Sequence, residues 1–262
     1  MPRFNYRKPR NRKTGCHKLP RRLPAWKVCK NFEENLQDQN IDPLTPSEWK
    51  PYIGKIVLRP KRIYNLDQDG DTSCATGACC QTTMITREYE GQERVKLNPL
   101  SLFRQVNHGQ NRGSNIGDNM RAMQKVGALP EEFWPRSMGW KREPPKGWQE
   151  VAAFFRIDEE FWIKTVNGFA TALLMPDPVE YGRRGHAITA VDLMKNFAIR
   201  FANSWGNWGD DGFGIDNLMR DFNIQYGAFA VRSCVDSTGW RAVARRIQRR
   251  SGMPRAMLVS AV

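Results

Sequence analysis

Long apolar runs are missing from this sequence. Nowhere do its 262 residues offer the roughly 20 consecutive apolar side chains that a bilayer-spanning helix needs. The first basic residues are followed by no apolar stretch, so a secretory signal peptide is not expected. Cysteine is sparse: six residues do not make a disulfide-dense scaffold, and the thiols are expected to be reduced. Histidine is scarcer, at three. No internal repeat is visible. Cys16, His17 and Cys29 lack the CxxC spacing of a zinc site. Asp67-Gln-Asp-Gly-Asp71 suggests a calcium loop but fails as one. Its Gly70 stands fourth instead of sixth, and Ala78, in twelfth place, cannot chelate. No metal or cofactor is expected.

Acidic residues are absent from both ends. Residues 1–32 carry 11 Lys/Arg and residues 240–262 carry 6 Arg, with no Asp or Glu in either. Residues 33–239 hold 24 bases against all 27 acids, so the formal charge of +14 belongs to the ends. Aromatic residues are plentiful, with 13 Phe, 9 Trp and 6 Tyr, which excludes a chain disordered throughout. The length suffices for one large domain or two small lobes with a true core. The division expected is a basic N-terminal arm and linker over 1–47, a body over 48–239 and a basic tail over 240–262.

The body reads as α+β. Ile56-Val57-Leu58 suggests a strand. A polar loop over 67–73 precedes a helix from Cys74, which Thr72 or Ser73 could cap and Gly91 ends. Ile116, Met120 and Met123 mark a second helix from Ser114. A third is expected from Asp158 to Gly168, with Glu159 and Glu160 in its first turn. Ala170–Met175, His186–Leu193, Phe197–Ala202 and Tyr226–Arg232 read as strands. Trp240, Val243 and Ile247 form an apolar stripe among arginines, which suits a membrane surface or a partner.

Four residues carry chemistry: Gln68, Cys74, His186 and Asn203. A cysteine attacks as thiolate, which a helix N-terminus favours, and Cys74 stands where a helix begins. A base must take its proton, and a third group must orient that base. His186 opens an apolar strand and Asn203 ends the next. An antiparallel pair joined by a turn near Lys195-Asn196 would set the two side by side. His108, in a polar loop, is expected to be exposed.

These residues resemble the papain-like cysteine peptidases. The pattern is Gln68 six residues before Cys74, Ser73-Cys74, His186-Ala187, Asn203-Ser204-Trp205-Gly206, then Trp208-Gly209, in the family's order over about residues 50–235. Gly113 to Gly127, followed by Pro130-Glu131, resembles the segment that borders the family's substrate cleft. The resemblance implies a two-lobed fold, with a helical lobe carrying the nucleophile Cys74 and a β-rich lobe carrying the base His186 and its orienter Asn203. It implies an oxyanion hole from Gln68 and the Cys74 amide, a Trp205 covering the His–Asn contact, and substrate contacts at Gly113, Ser114, Asn115, Gly185 and Trp205. The reaction implied is hydrolysis of a peptide bond through a thioester.

The sequence also departs from the pattern. Ala75 and Gly77 replace two aromatics, and a helical glycine costs about 1 kcal/mol relative to alanine. Asp69 and Asp71 place negative charge near the thiol, which opposes thiolate formation. The family's disulfides have no evident counterparts among Cys16, Cys29, Cys79, Cys80 and Cys234. A second reading is therefore a weak or inactive papain-like body that binds nucleic acid or an acidic partner through the arms at 1–32 and 240–262. A transglutaminase- or amidase-type acyl transferase would use the same Cys–His chemistry. The expected setting is intracellular, cytoplasmic or within a viral or nucleoprotein particle.

Overall fold

The computed structural model describes residues 13–19, 30–53, 64 and 66–252. The strand expected at 56–58 and the candidate ligand Cys29 lie outside them. The chain runs β1 (Lys30–Asn31), α1 (Phe32–Asp38), α2 (Pro46–Trp49), α3 (Cys74–Tyr89), α4 (Pro99–Asn107), α5 (Ile116–Lys125) and α6 (Trp148–Ala152). It continues through β2 (Ile157–Trp162), α7 (Val166–Leu174), β3 (Val179–Arg183), β4 (His186–Leu193), β5 (Ala198–Ala202), β6 (Phe213–Asn217), α8 (Leu218–Asp221), β7 (Ala228–Cys234) and α9 (Trp240–Ser251). The seven strands form one sheet in the order β1-β2-β7-β3-β4-β5-β6. All its pairings are antiparallel except β1 with β2.

Two apolar clusters flank α3. Ala75 and Ala78 pack with α4, α5 and the loops after them, and Ile85 packs with α1, α7 and the sheet. Every α3 residue from Cys74 to Arg87 is buried, so its polar side chains need partners inside the protein. The Thr82 and Thr189 hydroxyls lie 2.9 Å from each other and 2.9 Å from the Ala78 carbonyl. That contact locks the register of α3 against β4, and so of Cys74 against His186.

Three expectations are corrected. Residues 157–162 form β2 rather than the start of a helix. They lie between β1 and β7 in the sheet, where ladder hydrogen bonds and the burial of Ile157 and Phe161 outweigh the local helix signal. Residues 170–174 belong to helix α7 instead of a strand, and Met175 is its C-cap. Thr165 caps it through a 2.9 Å bond from the Gly168 amide, and its Ala- and Leu-rich sequence favours helix. Gly168 therefore opens this helix instead of ending one. Glu33 of α1 packs so close that a Cβ on Gly168 would meet its carboxylate at 2.4 Å.

The third correction concerns the ends. Phe32 and Leu36, inside the arm and linker expected over 1–47, are fully buried in the core. At the other end α9 lays Trp240, Ala244 and Ile247 against the body, with Trp240 edge-on to Phe155 at 5.3 Å. Its apolar stripe is thus covered by the chain itself, not left for a membrane or partner. Arg241 binds Glu132 and Glu93, and Arg246 binds Glu150, so part of the helix's charge is matched internally. Among the described residues, no helix is long and apolar enough to cross a membrane, and no cluster of three His, Cys, Asp or Glu could hold a metal ion.

Candidate active site

Cys74 is the first residue of α3, where free amides and the helix dipole favour negative charge. Ser73 holds the cap position but makes no side-chain cap. Its hydroxyl and amide bond instead to Asp71 Oδ1, which braces the loop entering the helix. Gly77 has a clear steric reason: a Cβ there would meet the Ser204 Cβ at 3.0 Å. An aromatic at that position would keep α3 away from the Asn203-Ser204 segment.

The β3–β4 hairpin turns through Arg184 and Gly185, both with positive φ, and delivers His186 as the first residue of β4. Asn203 follows β5 directly. The strands are antiparallel, and His186 Nε2 and Asn203 Oδ1 meet at 2.8 Å. The Asn203 oxygen also accepts the Ser204 amide, which fixes its orientation. Trp205 stacks on the imidazole at 4.4 Å between centroids, shielding the His–Asn contact from water. Next, the Ser204 hydroxyl donates to Gln68 Oε1 at 2.9 Å, leaving the Gln68 amide nitrogen as the outward donor. The four predicted chemical residues and Trp205 are all buried, and the sheet, α3 and the 66–68 loop converge to place them together.

The described N-terminal segment runs through this site. Gln68 Nε2 donates to the Lys13 carbonyl at 2.7 Å. The Gly15 amide donates to Cys74 Sγ at 3.3 Å. The Cys16 amide donates to the Gly185 carbonyl, Ser114 N–H donates to Gly15 O, and His17 N–H donates to Ser114 O. The bridge between Cys16 and Ser114 is parallel. Farther along, the Leu19 amide bonds to Gln225 O. Gly113 permits the approach, since a Cβ there would lie 1.8 Å from Gly15 O.

Of the expected substrate contacts, Gly113, Ser114 and Gly185 thus border the bound segment, and Trp205 lies on the histidine. Asn115 does something else. Its side chain caps α5, accepting the Asp118 amide at 2.9 Å and donating to the Asp118 carboxylate. His108 is exposed at the left-handed end of α4, as expected.

Burial pushes the Cys74 thiol above its ordinary range. The amides of Ala187, Gly15 and Ala75 oppose that by donating to the sulfur, and the Glu180 carboxylate adds a smaller push upward. The acid whose field reaches the thiol is therefore Glu180, not the loop acids. Asp71 is spent on Ser73 and Arg136, and burial raises it above the usual carboxylate range. The sequence pattern did not mark Glu180, the bond from Ser204 to Gln68, or the Lys13–Leu19 segment as parts of the site. The one available signal was an acid inside the short strand Val179-Glu-Tyr181.

Solved structures share this architecture. Xylellain, a cysteine protease from Xylella fastidiosa, matches over 86% of this chain and 98% of its own, at a TM-score of 0.64 and 18% identity. Digestive procathepsin L 3 of Tenebrio molitor larval midgut matches over 67% of this chain and 69% of its own, at 0.55 and 14% identity. The proform of Amb a 11, a ragweed pollen cysteine protease, matches over 80% and 77%, at 0.55 and 15% identity. No protein-family model and no curated protein matches the sequence. The chain has the papain-like cysteine-protease fold.

Proposed function

We propose that this chain is a cysteine endopeptidase. The observation that carries the reading is the peptide lying across the site. Its Lys13 carbonyl binds the Gln68 amide, and its Gly15 amide binds the Cys74 sulfur. Those are the groups that a peptide bond under attack needs, and here a stretch of the chain's own backbone engages them. The segment continues past Cys74 to Gln225, so the cleft admits a chain running through it, as an endopeptidase requires.

His186 takes the proton of Cys74, and the thiolate attacks the substrate carbonyl carbon. Negative charge develops on the carbonyl oxygen, where Gln68 Nε2 and the Cys74 amide donate to it. Collapse of the tetrahedral adduct expels the amine, which receives the proton from His186, and a thioester remains. Water, deprotonated by His186, then hydrolyses the thioester and frees Cys74. Asn203 holds the imidazole by its Nε2, so that Nδ1 is the nitrogen available for proton transfer. Trp205 keeps the pair dry.

The test is hydrolysis of a fluorescence-quenched peptide library by the wild-type chain and by Cys74→Ala. Cleavage by the wild type alone supports the proposal. Equal cleavage by Cys74→Ala refutes it.

A further inference from the structure

Within the Lys13–Leu19 segment Cys16 is buried, with 4% of the residue exposed. The backbone of Ser114 holds this stretch in place from one side. On the other side lies β3: a Cβ on Gly182 would meet the Cys16 sulfur at 3.0 Å. Side chains alternate along a strand, so Glu180, two residues earlier, projects from the same face of β3. Its register partner Thr189 touches α3, which places Glu180 deeper, between the sheet and that helix.

Glu180 is fully buried and poorly matched. Among the described residues neither carboxyl oxygen has a nitrogen or hydroxyl partner, and the Cys79 thiol is a weak donor facing it. A buried acid with no cation costs stability, and burial raises it well above the carboxylate range. It also senses the Cys16 thiol electrostatically. Among the described residues no structural partner accounts for its cost, whereas a cation arriving from the cleft would.

We infer that Glu180 is a specificity-determining residue, the floor of the pocket that Cys16 now fills, and that it selects peptides carrying lysine or arginine at that position. An extended peptide that pairs with Ser114 puts one side chain where Cys16 lies. A long aliphatic stem suits the place of Cys16, which lies beside Gly182 in the same apolar cluster as Ala187 and Ile116, and the charged end would meet Glu180. The inference rests on the endopeptidase reading for its substrate, but the pocket itself can be tested without catalysis.

The first experiment is a double-mutant cycle in the full chain carrying Cys74→Ala, combining Cys16→Lys with Glu180→Gln and following urea unfolding. An ion pair with a buried carboxylate predicts coupling of at least about 10-fold in the unfolding constant. Coupling below about threefold overturns the pocket, being within the error of independent sites. Glu180→Leu serves as a second background if the glutamine variant folds poorly. The second experiment measures alkylation of Cys74 in the full chain by epoxysuccinyl peptides that differ only in lysine or leucine. A lysine preference of roughly 10-fold, lost in Glu180→Gln, is expected. An equal preference in both proteins overturns the inference. No alkylation by either probe, with the coupling intact, refutes the peptidase reading while supporting the pocket.

Discussion

The amide of Gly15 points at the sulfur of Cys74 from 3.3 Å away, across 59 residues of sequence. The candidate nucleophile is therefore covered by its own chain, and any substrate must first displace that cover. The cover is tight, since a Cβ on Gly15 would meet the Thr72 carbonyl oxygen at 2.3 Å.

Gly15→Ala should therefore loosen the segment while leaving the side chains of Cys74, His186, Asn203 and Gln68 unaltered. Overpacking costs about 1–3 kcal/mol, so alkylation of Cys74 by iodoacetamide should accelerate by roughly 5- to 150-fold. Intact-mass kinetics on both proteins reads this directly. An unchanged rate would mean that the segment does not limit access.

On the proposed mechanism, Gln68→Ala removes the side-chain donor to the developing oxyanion. Loss of one such donor costs about 100- to 1,000-fold in kcat, with KM little changed, and steady-state peptide hydrolysis checks it. Asn203→Ala frees the imidazole to turn or change tautomer. A loss of roughly 100-fold in kcat is expected, because the positioned proton transfer is worth at least that much.

Gly77→Ala forces a methyl toward Ser204, whose Cβ lies 3.0 Å from the site. The expected cost is about 1–3 kcal/mol, read by urea unfolding, with kcat falling as the Asn203-Ser204 segment shifts. The same substitution shows why the helix keeps a residue of poor helix propensity.

Asp177 supplies a pH signature in stability. Burial raises its carboxyl to about 7, despite the pairing with Arg232. Between the ordinary carboxylate range and about pH 7, the unfolded chain is ionised there while the folded chain holds the proton. Stability contributed at this site therefore falls as pH rises through that window. Asp177→Asn should flatten the decline in unfolding free energy between about pH 4 and 7. A decline of the same slope in the variant would place its source elsewhere.

Much of this architecture was legible in the sequence. Helix α3 and the strands bearing His186 and Asn203 follow from local pattern, and the turn at Lys195-Asn196 brings the two residues together. What was hidden depends on distant neighbours. Asp158-Glu-Glu160 carries a helix-start signal, but sheet pairing on both sides overrides it. The threat posed by Asp71 to the thiol disappears once Ser73 and Arg136 occupy it. Lys13–Leu19 has no periodicity, because it is held by backbone bonds to Ser114, Gly185 and Gln225 and little else marks it. Glu180 stands in a short stretch, Val179-Glu-Tyr181, that no local pattern marks as buried. Only the helix packed over it shows it to be buried.

The central claim is that Cys74 is an activated thiol in a peptide-binding cleft. Intact-mass labelling with an epoxide inhibitor of thiol peptidases tests it most directly, using the full chain, Gly15→Ala and Cys74→Ala. The account predicts one adduct on the full chain, faster addition to Gly15→Ala and none on Cys74→Ala. A folded Gly15→Ala protein that takes no adduct, or an adduct that persists in Cys74→Ala, would contradict it.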